Sequence, residues 1–358
     1  MQKIVWVIGL LACMGCRPST LEWGKELLAE KKYEKAKEAL SLWIQSDTTR
    51  WDAYYARAEC NAALSLENDA LHDYEKAFVM HPAVKTCVGV GKGYLENEDY
   101  EKAKAYFNRA IGMDRSDARG YFGLGDCYLR EELYDEALSY LHQAQARWKK
   151  NVPEEFTLAL MQVYFEKKRD AACLAQIRVL KLAKSPRSEA YEYAGRVYAR
   201  QKRYPQALKE YQAVLDRDST DIVARVLVAD VYAQQEQYAA EIKERTRIIR
   251  QVEEEKADAA LIGLSYYYRG MAKDNAGDFR GALRDLDHSI ALSDGRAWAY
   301  FCRTVAKIHL RDFSGALRDY QEAVRLRPDV AFEDHLSEDP TSYATFIAYA
   351  GVHGERID

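Results

Sequence analysis

GDFRGALRDL (277–286) and RDFSGALRDY (311–320) are two copies of one pattern, set 34 residues apart. Asp-Phe, Gly-Ala-Leu, Arg-Asp and a closing bulky residue fall in matching places. A catalytic loop has no use for a second copy. A stacked structural unit does, because one copy alone cannot bury its apolar face.

Sliding the frame back along the chain finds more copies. YEKAKEAL (33–40), YEKAKAYF (100–107), YDEALSYL (134–141) and YPQALKEY (204–211) each carry an aromatic, Ala three residues on, and a bulky residue four further. Upstream, GKGYLENEDY (91–100), GDCYLREELY (125–134) and GRVYARQKRY (195–204) each carry Gly, Tyr three later, and an aromatic nine after the Gly. The pattern resembles the tetratricopeptide repeat, a helix-turn-helix unit of about 34 residues. In that frame repeats begin just after Cys16 and then at Trp51, Val84, Ala118, Glu154, Ser188, Ile222, Gly263 and Ala297. The intervals are 34, 33, 34, 36, 34, 34, 41 and 34. The fold expected is all-α, a solenoid of nine such units spanning 21–329, closed by a cap over 330–358.

Helical spacing supports this independently of the family. Small residues at frame positions 8 and 20 (Gly91 with Ala103, Gly125 with Ala137, Gly195 with Ala207) let two helices approach closely. Positions 4, 7, 8 and 11 form one apolar stripe, and positions 20, 24 and 27 another. Pro82 and Pro328 follow second helices, where proline ends a helix cleanly. The 26 tyrosines then read as core and groove lining rather than as a cofactor site.

Repeat 7 departs from the pattern, with Glu241 and Arg245 where a small and a bulky apolar residue are expected. It also precedes the 41-residue interval, with RQVEEEKADA (250–259) as extra sequence. Two readings stand: an overlong, solvated second helix, or a joint near 250–262 between repeats 1–7 and 8–9. After Pro328 the frame fails, and Pro340-Thr341 opens a short helix carrying Tyr343, Phe346, Ile347 and Ala350, with Gly351 as its stop. Arrays need an atypical end unit to shield the last apolar face.

The amino terminus has Lys3, an uncharged run from Ile4 to Gly15, then Cys16-Arg17-Pro18-Ser19-Thr20. Twelve helical residues rise about 18 Å against roughly 30 Å of hydrocarbon, too short to span. The segment 1–15 reads as a signal peptide, with 16–20 as a tether. It looks like a bacterial lipoprotein signal, in which the cysteine becomes lipidated. Gly15-Cys16 fits that pattern, Cys13 and Met14 depart from it, and Cys13 is the alternative site. Several acyl chains anchor far better than one. By the same resemblance Arg17 is not the Asp that favours inner-membrane retention, so the implied location is the bacterial envelope, on the outer membrane facing the periplasm. A surface-exposed product is the other possibility.

Composition narrows the partners. Removing residues 1–15 removes one charge and leaves 51 basic and 56 acidic residues. Nucleic-acid binders carry a basic excess, and this chain has none. The five cysteines beyond residue 16 (Cys60, Cys87, Cys127, Cys173 and Cys302) lie in separate repeats without a CxxC, which reads as buried free thiols. HExxH, GxxxxGK[ST], GxSxG and GxGxxG are all missing, so no enzyme activity, cofactor or metal is expected. The one His-acid cluster, EDHLSED (333–339), lies in the irregular stretch before the cap and reads as solvated loop.

By resemblance, first helices line a groove, with positions 2, 5, 9 and 12 facing it. The groove candidates are Tyr55, Lys85, Lys92, Arg119, Phe122, Arg130, Arg196 and Tyr267. Tyr267, Trp298 and Phe301 could equally be covered by the cap. The Lys and Asn set with which some family members clamp a peptide carboxylate does not occur in three consecutive repeats. A basic cluster around Phe122 in an acidic chain suggests an acidic or extended peptide, with none of Lys92, Arg119 and Phe122 needed by the core. The implied function is a non-catalytic, membrane-anchored scaffold or adaptor binding protein partners at the bacterial envelope. The alternative is a permanent accessory subunit of a secretion or outer-membrane assembly complex.

Overall fold

The computed structural model describes residues 20–148, 150, 152–183, 186–292, 297–330 and 340–352. Among them all regular structure is helical. The chain forms two compact units, Met1–Lys184 and Ser185–Asp358.

In the first unit five antiparallel pairs follow one another. They are α1 (Leu21–Ala29) with α2 (Tyr33–Ser46), α3 (Trp51–Ala63) with α4 (Glu67–Met80), and α5 (Val84–Glu96) with α6 (Tyr100–Met113). Then come α7 (Ala118–Arg130) with α8 (Tyr134–Arg147), and α9 (Glu154–Glu166) with α10 (Asp170–Lys181). The second unit holds α11 (Ser188–Arg200) with α12 (Tyr204–Leu215), and α13 (Ile222–Gln234) with α14 (Tyr238–Glu254). It continues with α15 (Ala259–Asn275) and α16 (Phe279–Leu292), then α17 (Ala297–His309) and α18 (Phe313–Leu326), and ends on α19 (Pro340–Val352). The nine pairs are the expected repeats. Helix α19 is the expected cap, and it runs through Gly351 rather than stopping there.

The opening stretch now has a physical reading. Asp278 and Asp312 precede α16 and α18, and their carboxylates accept the N–H groups of Gly281 and Gly315 at 2.9 and 3.0 Å. This satisfies one of the orphan donors of a helix start. Ala282 and Ala316, at position 20, are fully buried, like Ala36, Ala103, Ala137, Cys173 and Ala207 in the same slot. Facing that slot, glycine at position 8 admits a large ring or branched side chain from position 24. A Cβ on Gly195 would lie 2.2 Å from the Tyr211 ring, and one on Gly125 would lie 2.8 Å from Leu141. Tyr211, Phe107 and Leu141 are consequently buried. Each such burial contributes about 1.5–3 kcal/mol.

The turn between paired helices is equally regular. Lys31, Ser65, Glu98, Glu132, Lys168, Lys202, Glu236, Gly277 and Arg311 all have positive φ. Their spacings are 34, 33, 34, 36, 34, 34, 41 and 34, the intervals of the repeat frame. After α3, the Leu66 N–H donates to Asn61 O at 2.9 Å and the Ser65 N–H to Ala62 O at 3.2 Å. The left-handed residue thus closes the helix by turning donors back onto its last carbonyls. Glycine supplies it once, at Gly277.

The 41-residue interval is absorbed by helix length. Both α14 and α15 have 17 residues, where neighbouring first and second helices have 12 to 14. Residues Glu253 to Lys256 are exposed, whereas Glu241 and Arg245 are buried. The Arg245 Nε donates to Glu241 Oε1 at 2.7 Å. Position 20 of this repeat therefore holds a buried carboxylate matched by its own arginine.

Candidate functional site

Within the first unit, successive first helices assemble a cleft of about 360 Å³. Tyr55 comes from α3, Lys92 from α5, Arg119, Phe122, Asp126 and Arg130 from α7, and Trp148 and Glu155 from either side of the step to α9. Residues 2, 5 and 9 of a helix lie on one face, and stacking brings these faces together. A Cβ on Gly123 would lie 2.3 Å from the Phe107 ring, so that ring forms part of the floor.

Five of the eight groove candidates, Tyr55, Lys92, Arg119, Phe122 and Arg130, line this one cleft. Lys85 stands beside it, its ammonium 4.3 Å from the centre of the Tyr55 ring. The other two belong to the second unit. Arg196, on α11, sits 5.6 Å from the Tyr193 ring with its Nε buried and without a hydrogen-bond partner. Tyr267, on α15, lines a different cleft with Trp298.

Two expectations need correction. The cleft is not basic, since Lys92, Arg119 and Arg130 are balanced by Glu96, Asp126 and Glu155. Arg119 forks onto Asp117, the residue before α7, with Nε at 3.0 Å from Oδ1. That pairing holds the Asp117 carboxyl below its usual range. Arg130 reaches Glu96 at 2.8 Å. Lys92, exposed, and Asp126, half-buried, form no ion pair with any described residue, and burial pushes the Asp126 carboxyl up. The lining of the cleft is therefore of mixed charge.

Phe122 is also part of the core. Its ring centre lies 5.7 Å from those of Trp148 and Phe156, which are 4.9 Å from each other. The two extra residues of the 36-residue interval fall in the sequence between α8 and α9, a stretch that opens with Trp148. The repeat pattern sets no residue type at that tryptophan's position, so pattern reading missed it. Only the unusual interval hinted at it.

Residues 1–19, with the lipidation candidates Cys13 and Cys16, and the stretch 333–339 lie outside the described residues. Among the described residues no helix is long and apolar enough to cross a membrane, and no group of three His, Cys, Asp or Glu is placed to hold a metal ion. Cys60, Cys87 and Cys127 are buried free thiols, Cys173 is buried, and Cys302 is half-buried.

Each unit is an all-α array of antiparallel helical pairs, of the kind that tetratricopeptide repeats form. Residues 91–152 and 156–222 match the family model of the tetratricopeptide repeat. No curated protein matches the sequence. Among solved structures, the APC/C hetero-tetramer Cut9–Hcn1 aligns over 85% of this chain at 14% identity and a TM-score of 0.44. This chain covers 52% of that one, about half its length. MamA from Desulfovibrio magneticus RS-1 aligns over 49% of this chain and 96% of its own, at 15% identity and a TM-score of 0.43. PilW, a type IV pilus biogenesis factor, aligns over 55% and 90%, at 13% identity and a TM-score of 0.46.

Proposed function

We propose that this chain is a non-catalytic scaffold, tethered to the bacterial envelope by a lipid on Cys16, that recruits another polypeptide through the cleft of its first unit. The observation carrying the recruiting role is the convergence of Tyr55, Lys92, Arg119, Phe122 and Arg130 from separate repeats on one cleft. Repeat arrays bind extended segments in this manner, because each neighbouring helix adds one row of contacts. Lys92 and Asp126, one cation and one carboxylate without an ion-pair partner among the described residues, suit a segment carrying both charges beside an apolar side chain. Tethering rests on the apolar run from Ile4 to Gly15 and the cysteine that follows it, and the outer membrane facing the periplasm is the location proposed.

Crosslinking in native membranes, followed by partner identification, tests the reading. The Lys92→Glu variant should lose the partner captured by the wild type while remaining folded and membrane-bound. Undiminished capture would place recruitment on another surface.

A further inference from the structure

A second cleft, of about 430 Å³, lies in the second unit between α15 and α17. Its walls are mainly apolar or aromatic: Tyr267 and Met271 on one helix, Trp298, Phe301 and Val305 on the other. Set among them is one carboxylate, Asp274. Its Oδ1 is buried and has no hydrogen-bond partner. The nearest cation on its own helix, Lys273, is committed to Asp285 at 2.7 Å. A buried polar atom left unpaired costs about 1–3 kcal/mol, so a fold that keeps one invites a donor from outside.

We infer that this cleft binds the cationic side chain of a lysine or arginine in a partner polypeptide, with Asp274 as its counter-ion and Tyr267 and Trp298 as its aromatic walls. The inference is independent of the first-unit cleft. Three observations support it. The negative faces of aromatic rings attract an ammonium or guanidinium group, and desolvation strengthens that attraction. Among the described residues Asp274 is the one carboxylate lining the cleft, and Cys302, whose thiol burial pushes up to about 12, supplies no competing charge near neutrality. Burial alone raises the Asp274 carboxyl to about 7, and an incoming cation would relieve that penalty.

A polypeptide rather than a free amine is the fitting source. A neighbouring cleft of about 350 Å³ shares Tyr267 and Trp298 and continues past Tyr268 to Arg327. Trp298, which is 36% exposed, thus stands between two hollows. A chain laid across it can fill both, whereas a small amine fills one.

Titration calorimetry on the full-length protein tests this with blocked five-residue peptides, Ac-Ala-Ala-Lys-Ala-Ala-NH2 and its arginine and norleucine counterparts, beside n-butylammonium. The lysine and arginine peptides should bind, and the norleucine peptide and the free amine should bind at least about tenfold more weakly. Asp274→Asn and Trp298→Leu should each reduce lysine-peptide affinity by about tenfold or more, with circular dichroism melts showing both folded. Equal binding of norleucine, unchanged affinity in folded Asp274→Asn, or no binding of either cationic peptide would overturn the inference. Equal binding of n-butylammonium would overturn the polypeptide source. If Asp274→Asn does not fold, Trp298→Leu and the norleucine comparison decide alone.

Discussion

The Arg303 guanidinium grips Asp319 through two parallel bonds, Nε to Oδ2 and Nη2 to Oδ1, each 2.7 Å. The same fork joins Arg57 to Asp73 and Arg269 to Asp285, always sixteen residues apart. A further donor comes from the next turn of the first helix: Lys307 at 2.6 Å, Lys273 at 2.7 Å, or Asn61 at 3.3 Å. The aspartates are nearly fully buried, so the pairing clamps the two helices of one repeat.

Breaking a buried pair from one side leaves an uncompensated charge. Asp319→Ala should therefore lower the stability of the second unit by about 3 kcal/mol, seen as an earlier urea midpoint for its helices. A loss under about 0.5 kcal/mol would mean the pair behaves as an exposed one.

Repeat 7 offers the opposite experiment. Glu241 is 3% exposed and Arg245 6% exposed, and Arg245 also meets Asp230 at 3.0 Å and the Tyr268 ring at 4.9 Å. Arg245→Leu alone strands the Glu241 carboxylate and should cost about 3 kcal/mol. Glu241→Ala combined with Arg245→Leu restores the repeat pattern and should recover the wild-type urea midpoint or exceed it. A double variant as unstable as the single one would show that the pair is positively required.

Binding and stability should separate in the first-unit cleft. Lys92 is exposed and forms no ion pair among the described residues, so Lys92→Glu should shift stability by less than about 0.5 kcal/mol while weakening partner capture. Phe122→Ala opens the trio with Trp148 and Phe156 and should cost about 2 kcal/mol of stability. Thermal melts alongside capture assays distinguish these outcomes, and a melting loss in Lys92→Glu would count against its assignment to the rim.

Asp274 gives a pH signature. Burial raises its carboxyl from 3.8 to about 7, and the other titratable groups lining its cleft among the described residues are the Tyr267 hydroxyl and the Cys302 thiol. Between those values the unfolded chain is ionised and the folded one keeps its proton. Stability contributed by this group is therefore greatest below about 4, falls as pH rises to about 7, and is flat above. The span is on the order of 4 kcal/mol. Asp274→Asn should flatten this part of the profile and raise stability at pH 8, as urea unfolding across the range would reveal. A variant whose profile still falls as steeply would assign the slope to other groups.

The proposed anchor is tested by fatty-acid labelling in a bacterial host. Label should vanish in Cys16→Ser and persist in Cys13→Ser. The reverse would move the mature start, and no label in either would remove the tether from the proposal.

Helix identity, pair count and repeat boundaries were legible in the sequence because a repeat must write the same burial pattern each time it stacks. Seven of the nine predicted starts, from Trp51 to Ile222 and again at Ala297, coincide with the first residue of a helix. The frame start at Gly263 fell four residues inside α15, since periodicity marks which face is buried and not where a solvated helix end stops. Turn residues were illegible for the same reason: Lys31, Glu98 and Arg311 adopt positive φ because the closing hydrogen bonds demand it, and nothing in their chemistry announces it.

Side-chain partnerships were decided by tertiary structure alone. The Arg-Asp of the opening stretch repeats visibly, yet only packing shows that Asp285 and Asp319 turn inward to arginines sixteen residues back. Likewise the sequence put Lys92, Arg119 and Phe122 on one groove face, while the structure supplied Asp117 to neutralise Arg119 and Trp148 to bury Phe122. Periodicity along a chain specifies faces. Which charges meet across those faces depends on distances of a few ångströms between helices, which one-dimensional spacing does not encode.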